Sequence, residues 1–363
     1  MAKNKYLLYS EVDPFYRDLA QSLERAQREI TMMYLIFDHG QYALMLRDIL
    51  VRKVAEGLRV RLMVDQIGTL VDQKRNAIRN LQFVHELAQH GIEVCLFQPA
   101  GPRQTIQDRM HIKICAIDTS TVFVGGSNIG DEYLCWQDSN LKIEGDFGRS
   151  AHRIYDFVAC HSKTPGNRAM QGKTQFDISN WCLGDADLLL TIPGYRRDIC
   201  YELFNLLLQS RGTIYFRQWY FLPNEEFMNI LLSKLERNVH LEVMLSHRTK
   251  VRLVDWANPD AISRLVAAGA EVHRYSKCYM HSKIAWNDKG DIIFGSANLE
   301  ERGLRNNFEL CLRIHDENLS QQLVRRFEDD RKHCIHQSKA VVEKYPPRLR
   351  ILSRLLSVFS PFL

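Results

Sequence analysis

No run of about 18 consecutive apolar residues, the length a membrane-spanning helix needs, occurs anywhere in the 363-residue chain. A protein of this kind that works on membranes has to approach them from the surface. The N-terminus carries Lys3 and Lys5 but no apolar stretch of signal-peptide length behind them. The nine cysteines stand singly, with no CxxC pair and no Cys/His spacing of a zinc site. An odd, dispersed set argues against a disulfide framework and for a reduced, cytosol-facing chain. Excess charge of one sign is small as well. The formal net charge of +5 fits phosphate-bearing partners without separating nucleic acid from anionic lipid. With 45% hydrophobic and 25% charged residues the composition is that of a folded soluble protein, and disorder is a poor reading of it.

What is present is a repeat. The length suits two domains or a compact pair of similar halves. Asp13 as N-cap and Pro14 open an amphipathic helix over 13–29, followed by a buried strand at 30–38, a helix at 41–56 and the strand RVRLMVD. A helix over 72–90 and the strand IEVCLF complete the series. The second half has the same order: helices near 196–210 and 224–237, the strands TIYFRQWYFL and HLEVML, then a helix and strand within DAISRLVAAGAEVHRY. The polar stretch 161–187, with Pro165, Gly166 and Gly172, reads as the connection. Alternating strands and helices predict an α/β fold of two pseudo-symmetric halves, each a mixed β-sheet flanked by helices, with any shared site at their interface. The expected division is 1–160 and 188–345 for the halves, 161–187 between them and a tail at 346–363.

Each half then enters one motif. The first copy is His111-x-Lys113-x4-Asp118-x6-Gly125-Gly126-x-Asn128; the second, His281-x-Lys283-x4-Asp288-x6-Gly295-Ser296-x-Asn298, repeats every element 170 residues further on. In a strand, side chains at i and i+2 share a face, so His and Lys of each copy point the same way. Packed face to face, the copies place two imidazoles and two ammonium groups around one cavity. Near neutrality an imidazole, with its ordinary pKa of about 6.5, serves as an unprotonated nucleophile or, protonated, as a donor to a leaving oxygen. The lysines, Asn128, Asn298 and the turns at Gly126 and Ser296 suit the oxygens of a phosphodiester. This chemistry requires no metal or cofactor. A nucleophilic His needs an acceptor on its other ring nitrogen; Asp138, 27 residues after His111, and Glu309, 28 after His281, are the expected orienting carboxylates. Asp118 and Asp288 complete the catalytic motif, but their place one turn beyond a strand marks them as anchors rather than proton-transfer groups. Any one His or Lys on a strand is commonly packing or surface. The unchanged register of the second copy is what argues against coincidence.

The duplicated pattern resembles the signature of the phospholipase D superfamily, and both copies match without a gap. The flanks VGGSNIGDEYL, WQDSNLKIEG and GSANLEERGLRNNFEL are similar to those of the bacterial cardiolipin synthases, as is the ending LSRLLSVFSPFL. The likeness runs from about residue 6 to 363. It implies a phosphatidyl transfer from one phosphatidylglycerol to another through a phosphohistidine, with release of glycerol. His111 takes the nucleophile's role by resemblance and His281 the acid/base role, an assignment that pseudo-symmetry leaves reversible. Unlike the longer synthases, the chain shows no pair of spanning helices at its start.

The tail offers a substitute. Leu349, Leu352, Leu355, Leu356 and Phe359 recur at helical spacing with Arg348, Arg350 and Arg354 among them, a pattern for a helix lying in an anionic interface. A helix docked on the protein or an oligomer contact would carry the same spacing. The expected partners are anionic phospholipid and the cytoplasmic face of a membrane; no nucleic-acid partner is expected, because no Lys/Arg stripe with interleaved aromatics is present. Trp136, Tyr133, Trp219, Tyr220 and Phe221 are candidates for an acyl channel or for core. Lipid hydrolysis, nucleic-acid phosphodiester cleavage and a decayed lipid-binding scaffold are the rival readings. Intact copies speak against decay.

Overall fold

The computed structural model describes residues 3–71, 76–100, 104–105, 107–163 and 181–358. The first half begins with a strand absent from the sequence reading, β1 (Lys5–Glu11), which leads into α1 (Val12–Glu24), β2 (Glu29–Tyr34), α2 (Gln41–Ala55) and β3 (Arg59–Asp65). The helix expected over 72–90 is observed as α3 (Gln66–Val71) and α4 (Ala77–Gln89), followed by β4 (Glu93–Phe97). The motif region supplies β5 (Ile114–Ile117), β6 (Thr121–Gly125) and β7 (Gln137–Glu144), closed by α5 (Ser150–Ala159).

The second half holds β8 (Cys182–Leu183), β9 (Ala186–Ile192), β10 (Arg196–Arg197), α6 (Asp198–Gln209), β11 (Thr213–Gln218), α7 (Glu225–Glu236), β12 (His240–Ser246), α8 (Arg252–Ala267) and β13 (Glu271–Tyr275). After it come β14 (Lys283–Asn287), β15 (Asp291–Gly295), β16 (Glu309–His315), α9 (Glu317–Arg331), β17 (Cys334–His336), α10 (Lys339–Glu343) and α11 (Pro347–Val358). Helix α8 starts eight residues before the predicted Asp260 and contains Pro259. Most of the expected connection, 164–180, lies outside the described residues.

The sheets show the duplication directly. The first has strand order β1-β7-β6-β5-β2-β3-β4, and the second contains β9-β16-β15-β14-β11-β12-β13, the same seven-strand order, with β10 and β17 added at its ends. In both, one strand beside the centre switches the sheet from antiparallel to parallel: β2 runs antiparallel to β5 and parallel to β3, as β11 does to β14 and β12. Parallel pairs need crossover helices on a face, which α2, α4, α7 and α8 provide. Their apolar sides and the outer faces of the sheets form one core per half, around Phe15, Leu46 and Phe83 in the first and Leu207, Phe227 and Leu265 in the second. The inner faces share a third core in which Met33, Ile114 and Leu141 meet Met280, Trp286 and Leu310. A fold of two pseudo-symmetric α/β halves is therefore what this sequence forms.

The tail is a helix, as its spacing predicts, and it lies on α8. Ser353 Oγ accepts from Asp260 N–H (2.8 Å) and donates to the Ala257 carbonyl (2.6 Å), while Arg354 pairs with Asp260 at 2.8 Å. Leu356 packs with Tyr220, Leu222, Val254 and Ala257. Ile351, Leu352 and Leu355 remain on the outside, 62%, 38% and 57% exposed. Phe359 is outside the described residues.

Candidate active site

The edge where the two halves meet is built from two matched backbone crossings. Met110 bridges to Phe308 and Met280 to Gln137, both parallel. His111 N–H donates to the Phe308 carbonyl (2.8 Å) and His281 N–H to the Gln137 carbonyl (2.7 Å). Each of those acceptors is the residue before a carboxylate. The segment that carries a His just ahead of its motif strand is thus laid beside the start of the strand that carries the other half's acid.

The side chains follow from this register. His111 Nδ1 lies 2.8 and 3.0 Å from the two oxygens of Glu309, and His281 Nδ1 lies 2.8 Å from Asp138 Oδ2. Counting along the sequence pairs Asp138 with His111 and Glu309 with His281. In the fold the pairing crosses the interface, so neither half holds an oriented imidazole alone. With Nδ1 engaged, each ring turns Nε2 toward a cavity of about 100 Å³ lined by both histidines, Asn128, Asn298, Leu35, Tyr133, Trp136, Trp219, Tyr220, Lys250 and Val251.

Burial dominates the electrostatics. It pushes His111 well below its ordinary value, with Lys113, Lys283 and Arg302 pushing the same way. It lowers His281 to about 3, seconded by Lys283, although Asp138 pulls it back up. Glu309 is raised by the same desolvation to about 8 against the pull of Lys113. Burial and the neighbouring cations therefore disfavour charge on either imidazole. A bound anion restores the balance, because a negative charge beside a ring favours its protonated form.

Lys113 and Lys283 are buried beneath the histidines, each Nζ donating to its own histidine's carbonyl oxygen, for Lys113 at 2.7 Å. They do not line the cavity themselves, as the shared strand face led us to expect, and act on it through space. Burial lowers Lys283 to about 8, opposed by Asp138, Glu309 and Glu300. The amide oxygens of Asn128 and Asn298, which line the cavity, are buried without a hydrogen-bond partner among the protein's own groups, an unmet polar demand at the site.

Two expected phosphate contacts are corrected. Ser296 Oγ donates to Glu309 Oε2 at 2.5 Å, so its hydroxyl is spent on the carboxylate. Gly126 is a glycine because Asp138 passes over it: a Cβ there would sit 2.2 Å from Asp138 Oδ1. Neither lines the cavity. The residue missed is Ser127, whose Oγ donates to Asp138 Oδ2 at 3.1 Å, the task Ser296 performs from the preceding position of its own copy. A one-residue offset between GGS and GSA hid the equivalence. Asn307, which donates to Glu309 Oε1 at 3.3 Å, also went unnoticed, having no counterpart by spacing.

Asp118 and Asp288 stand at the far ends of β5 and β14 from the histidines, roughly 20 Å along the chain at strand rise. Asp118, at φ +52°, accepts the N–H groups of Gln27, Arg28 and Glu29 at 3.0, 2.8 and 3.1 Å. Asp288 lies against Gly212, where a Cβ would meet its Oδ2 at 2.1 Å. Asp118 fastens the loop entering β2, Asp288 packs against the loop entering β11, and neither lines the pocket. Of the aromatics, Trp136, Trp219, Tyr133 and Tyr220 line the cavity, while Phe221 is core.

Two like sheets with a doubled His, Lys and Asn constellation across their seam define an enzyme of the phospholipase D type. The chain belongs to the family described as "Cardiolipin synthase, PLD-like domain", whose profile matches residues 19–151 and 203–331. It is 26% identical to cardiolipin synthase 1 of Bacillus anthracis over 98% of this chain and 72% of that protein. With cardiolipin synthase 1 of Staphylococcus epidermidis it is 26% identical over 99% of this chain and 74% of that one. The fold is similar to that of phosphatidylserine synthase from Haemophilus influenzae, at a TM-score of 0.79 and 15% identity over 99% of this chain and 95% of that one. Among the described residues no helix is long and apolar enough to cross a membrane.

Proposed function

We propose that the protein is a phosphatidyltransferase that makes cardiolipin from two molecules of phosphatidylglycerol. The observation that carries this reading is the crossed arrangement of His111 with Glu309 and His281 with Asp138 around one cavity, in a chain of this family. In the first step His111 Nε2 attacks phosphorus, the bond from phosphorus to the glycerol oxygen breaks, and His281 gives that oxygen a proton. In the second, His281 takes the proton from a hydroxyl of the next phosphatidylglycerol, whose oxygen bonds to phosphorus as the phosphorus–nitrogen bond breaks. Glu309 and Asp138 hold the rings through Nδ1, as a buried acid does in other imidazole-based sites. Lys113 and Lys283 stabilise charge on the non-bridging oxygens through space, and Asn128 and Asn298 hold those oxygens once their amides turn N–H inward.

The halves 1–160 and 188–345 act as one unit on this reading, since each supplies half of each catalytic pair. The exposed Ile351, Leu352 and Leu355 with Arg348 support the tail, 346–363, as the contact with the cytoplasmic surface of an anionic membrane. Full-length protein given labelled phosphatidylglycerol in vesicles should yield cardiolipin and free glycerol. Phosphatidic acid as the sole product would point to hydrolysis, and cutting of single-stranded DNA without lipid turnover to a nuclease.

A further inference from the structure

The chemistry at the seam is two-fold, but the mouth of the pocket is not. Trp136 and Trp219 stack at 5.6 Å and set their rings 5.4 and 5.2 Å from His281. No matching aromatic wall flanks His111 among the described residues. On the same side stands Lys250, the one Lys or Arg among the described residues lining the cavity. Its Nζ lies 5.0 Å from the Trp136 ring centroid, 5.8 Å from that of Tyr133, and 2.8 Å from Glu132 Oε1. The loop that carries it is fixed: Thr249 N–H donates to Asp255 at 3.0 Å and Ser246 Oγ to the Arg248 carbonyl at 2.7 Å. Trp136 therefore neighbours both His281 and the Lys250 cation.

The two substrates of a transfer differ in what they ask of the site. The donor needs its phosphorus at the histidines. An acceptor that is itself a phospholipid brings a second phosphate, separated by one glycerol unit from the hydroxyl that attacks, and that charge has to be met outside the reacting centre. Water or a simple alcohol makes no such demand. Asymmetry on the side of His281, which we assign to take the acceptor's proton, is where the demand falls.

We infer that Lys250, with Trp136 beside it, forms a subsite for the phosphate of the acceptor, so that the enzyme prefers a phosphodiester-bearing alcohol to a neutral one. This rests on the transferase reading above. Glu132 holds Lys250 in place when the subsite is empty. Both side chains are partly exposed, 29% and 31%, so a phosphate can replace that partner at little cost, gaining a charge-assisted hydrogen bond against an aromatic wall.

The test is acceptor choice in one vessel. Vesicles of labelled phosphatidylglycerol are turned over in the presence of ethanol, and the ratio of cardiolipin to phosphatidylethanol is read for the full-length wild type, Lys250→Met, Lys250→Arg and Glu132→Gln. We expect the ratio to fall about tenfold in K250M, the loss of one charge-assisted contact to one acceptor only. It should recover most of the way in K250R and rise in E132Q, where the phosphate no longer competes with a carboxylate. A K250M ratio within about twofold of wild type would overturn the inference. Should K250M fold poorly by its thermal transition, E132Q decides: a higher ratio supports the subsite and an equal or lower one removes it. Wild-type protein that makes no cardiolipin would sink the transferase reading and this inference together, whereas cardiolipin with unmoved ratios sinks this inference alone.

Discussion

The imidazole of His111, in the first half, is held at 2.8 Å by the carboxylate of Glu309, in the second, and His281 is held at the same distance by Asp138 in return. Exchange of the orienting acids between halves makes the site a property of the interface. Each acid fixes a tautomer, which an amide of the same shape cannot do. Glu309→Gln and Asp138→Asn should each lower kcat about a thousandfold while leaving the thermal transition within a few degrees. Steady-state turnover with a parallel melting curve checks this. A kcat within tenfold of wild type for both variants would show the acids to be structural.

How much of this was readable beforehand differs by element. The seven-strand order follows from repetition: once His111 and His281 stand in the same register, the flanking strands must repeat too, and the helices expected at 41–56, 196–210 and 224–237 came within a few residues of those bounds. Strand β1 escaped because KYLLYSE is partly exposed and separated from β7, its pairing partner, by most of the first half. Pro259 misled in the other direction. Most of the buried face of α8 (Val254, Ala257, Asn258, Ile262, Leu265) runs through the proline, and packing there outweighs its local cost. The histidines, lysines and carboxylates were legible because chemistry confines them to few residue types. Which acid meets which imidazole was not, because that depends on strands aligned across the seam, and linear spacing carries no information about it.

The lowered Lys283 sets an expectation for pH. Its ammonium is the charged form, present below its value of about 8 in the free enzyme and lost above it. Transition-state charge then goes unmet, so kcat/KM should fall as pH rises through about 8. Lys283→Arg, which stays charged, should shift or remove that alkaline limb even if overall activity drops. A pH profile of kcat/KM for both proteins on vesicles of fixed composition is the measurement, and identical alkaline limbs would assign the fall to another group.

Gly126 tests the crossing from below. A methyl group there would stand 2.2 Å from Asp138 Oδ1 and 2.9 Å from the His281 carbonyl, so Gly126→Ala should push Asp138 off His281 without touching the His111–Glu309 pair. We expect kcat to fall by about a thousandfold, near the effect of D138N, with a small change in KM. Combining G126A with D138N should add little, since both break one contact. Fully multiplicative losses would mean that the glycine serves some other purpose.

The tail faces two ways, and its deletion separates them. Leu356 and Ser353 bind it to α8, whereas Ile351, Leu352 and Leu355 look outward. Removing residues 346–363 should lower stability, because Leu222, Val254 and Ala257 lose their cover. Replacing only Ile351, Leu352 and Leu355 by serine should spare stability and weaken flotation with phosphatidylglycerol vesicles about tenfold or more. Unchanged flotation of the triple variant would leave the helix as a brace for α8 and nothing further.

The two histidines, alike in geometry, should separate in their variants. With His111 as nucleophile, His111→Ala has no atom to take the phosphatidyl group and should show neither product nor covalent label. His281→Ala still permits attack at phosphorus but lacks the proton donor for departure and the base for the second hydroxyl. Because the neutral His111 is already the attacking form in this buried pocket, a slow first step followed by a slower second one should let a phosphatidyl enzyme accumulate. Protein from labelled phosphatidylglycerol, quenched in alkaline detergent and digested at high pH where phosphohistidine survives, should carry the label on the peptide containing His111. Label found on His281 in the His111→Ala variant would exchange the two roles while leaving the crossed pairs, and the transfer itself, as described.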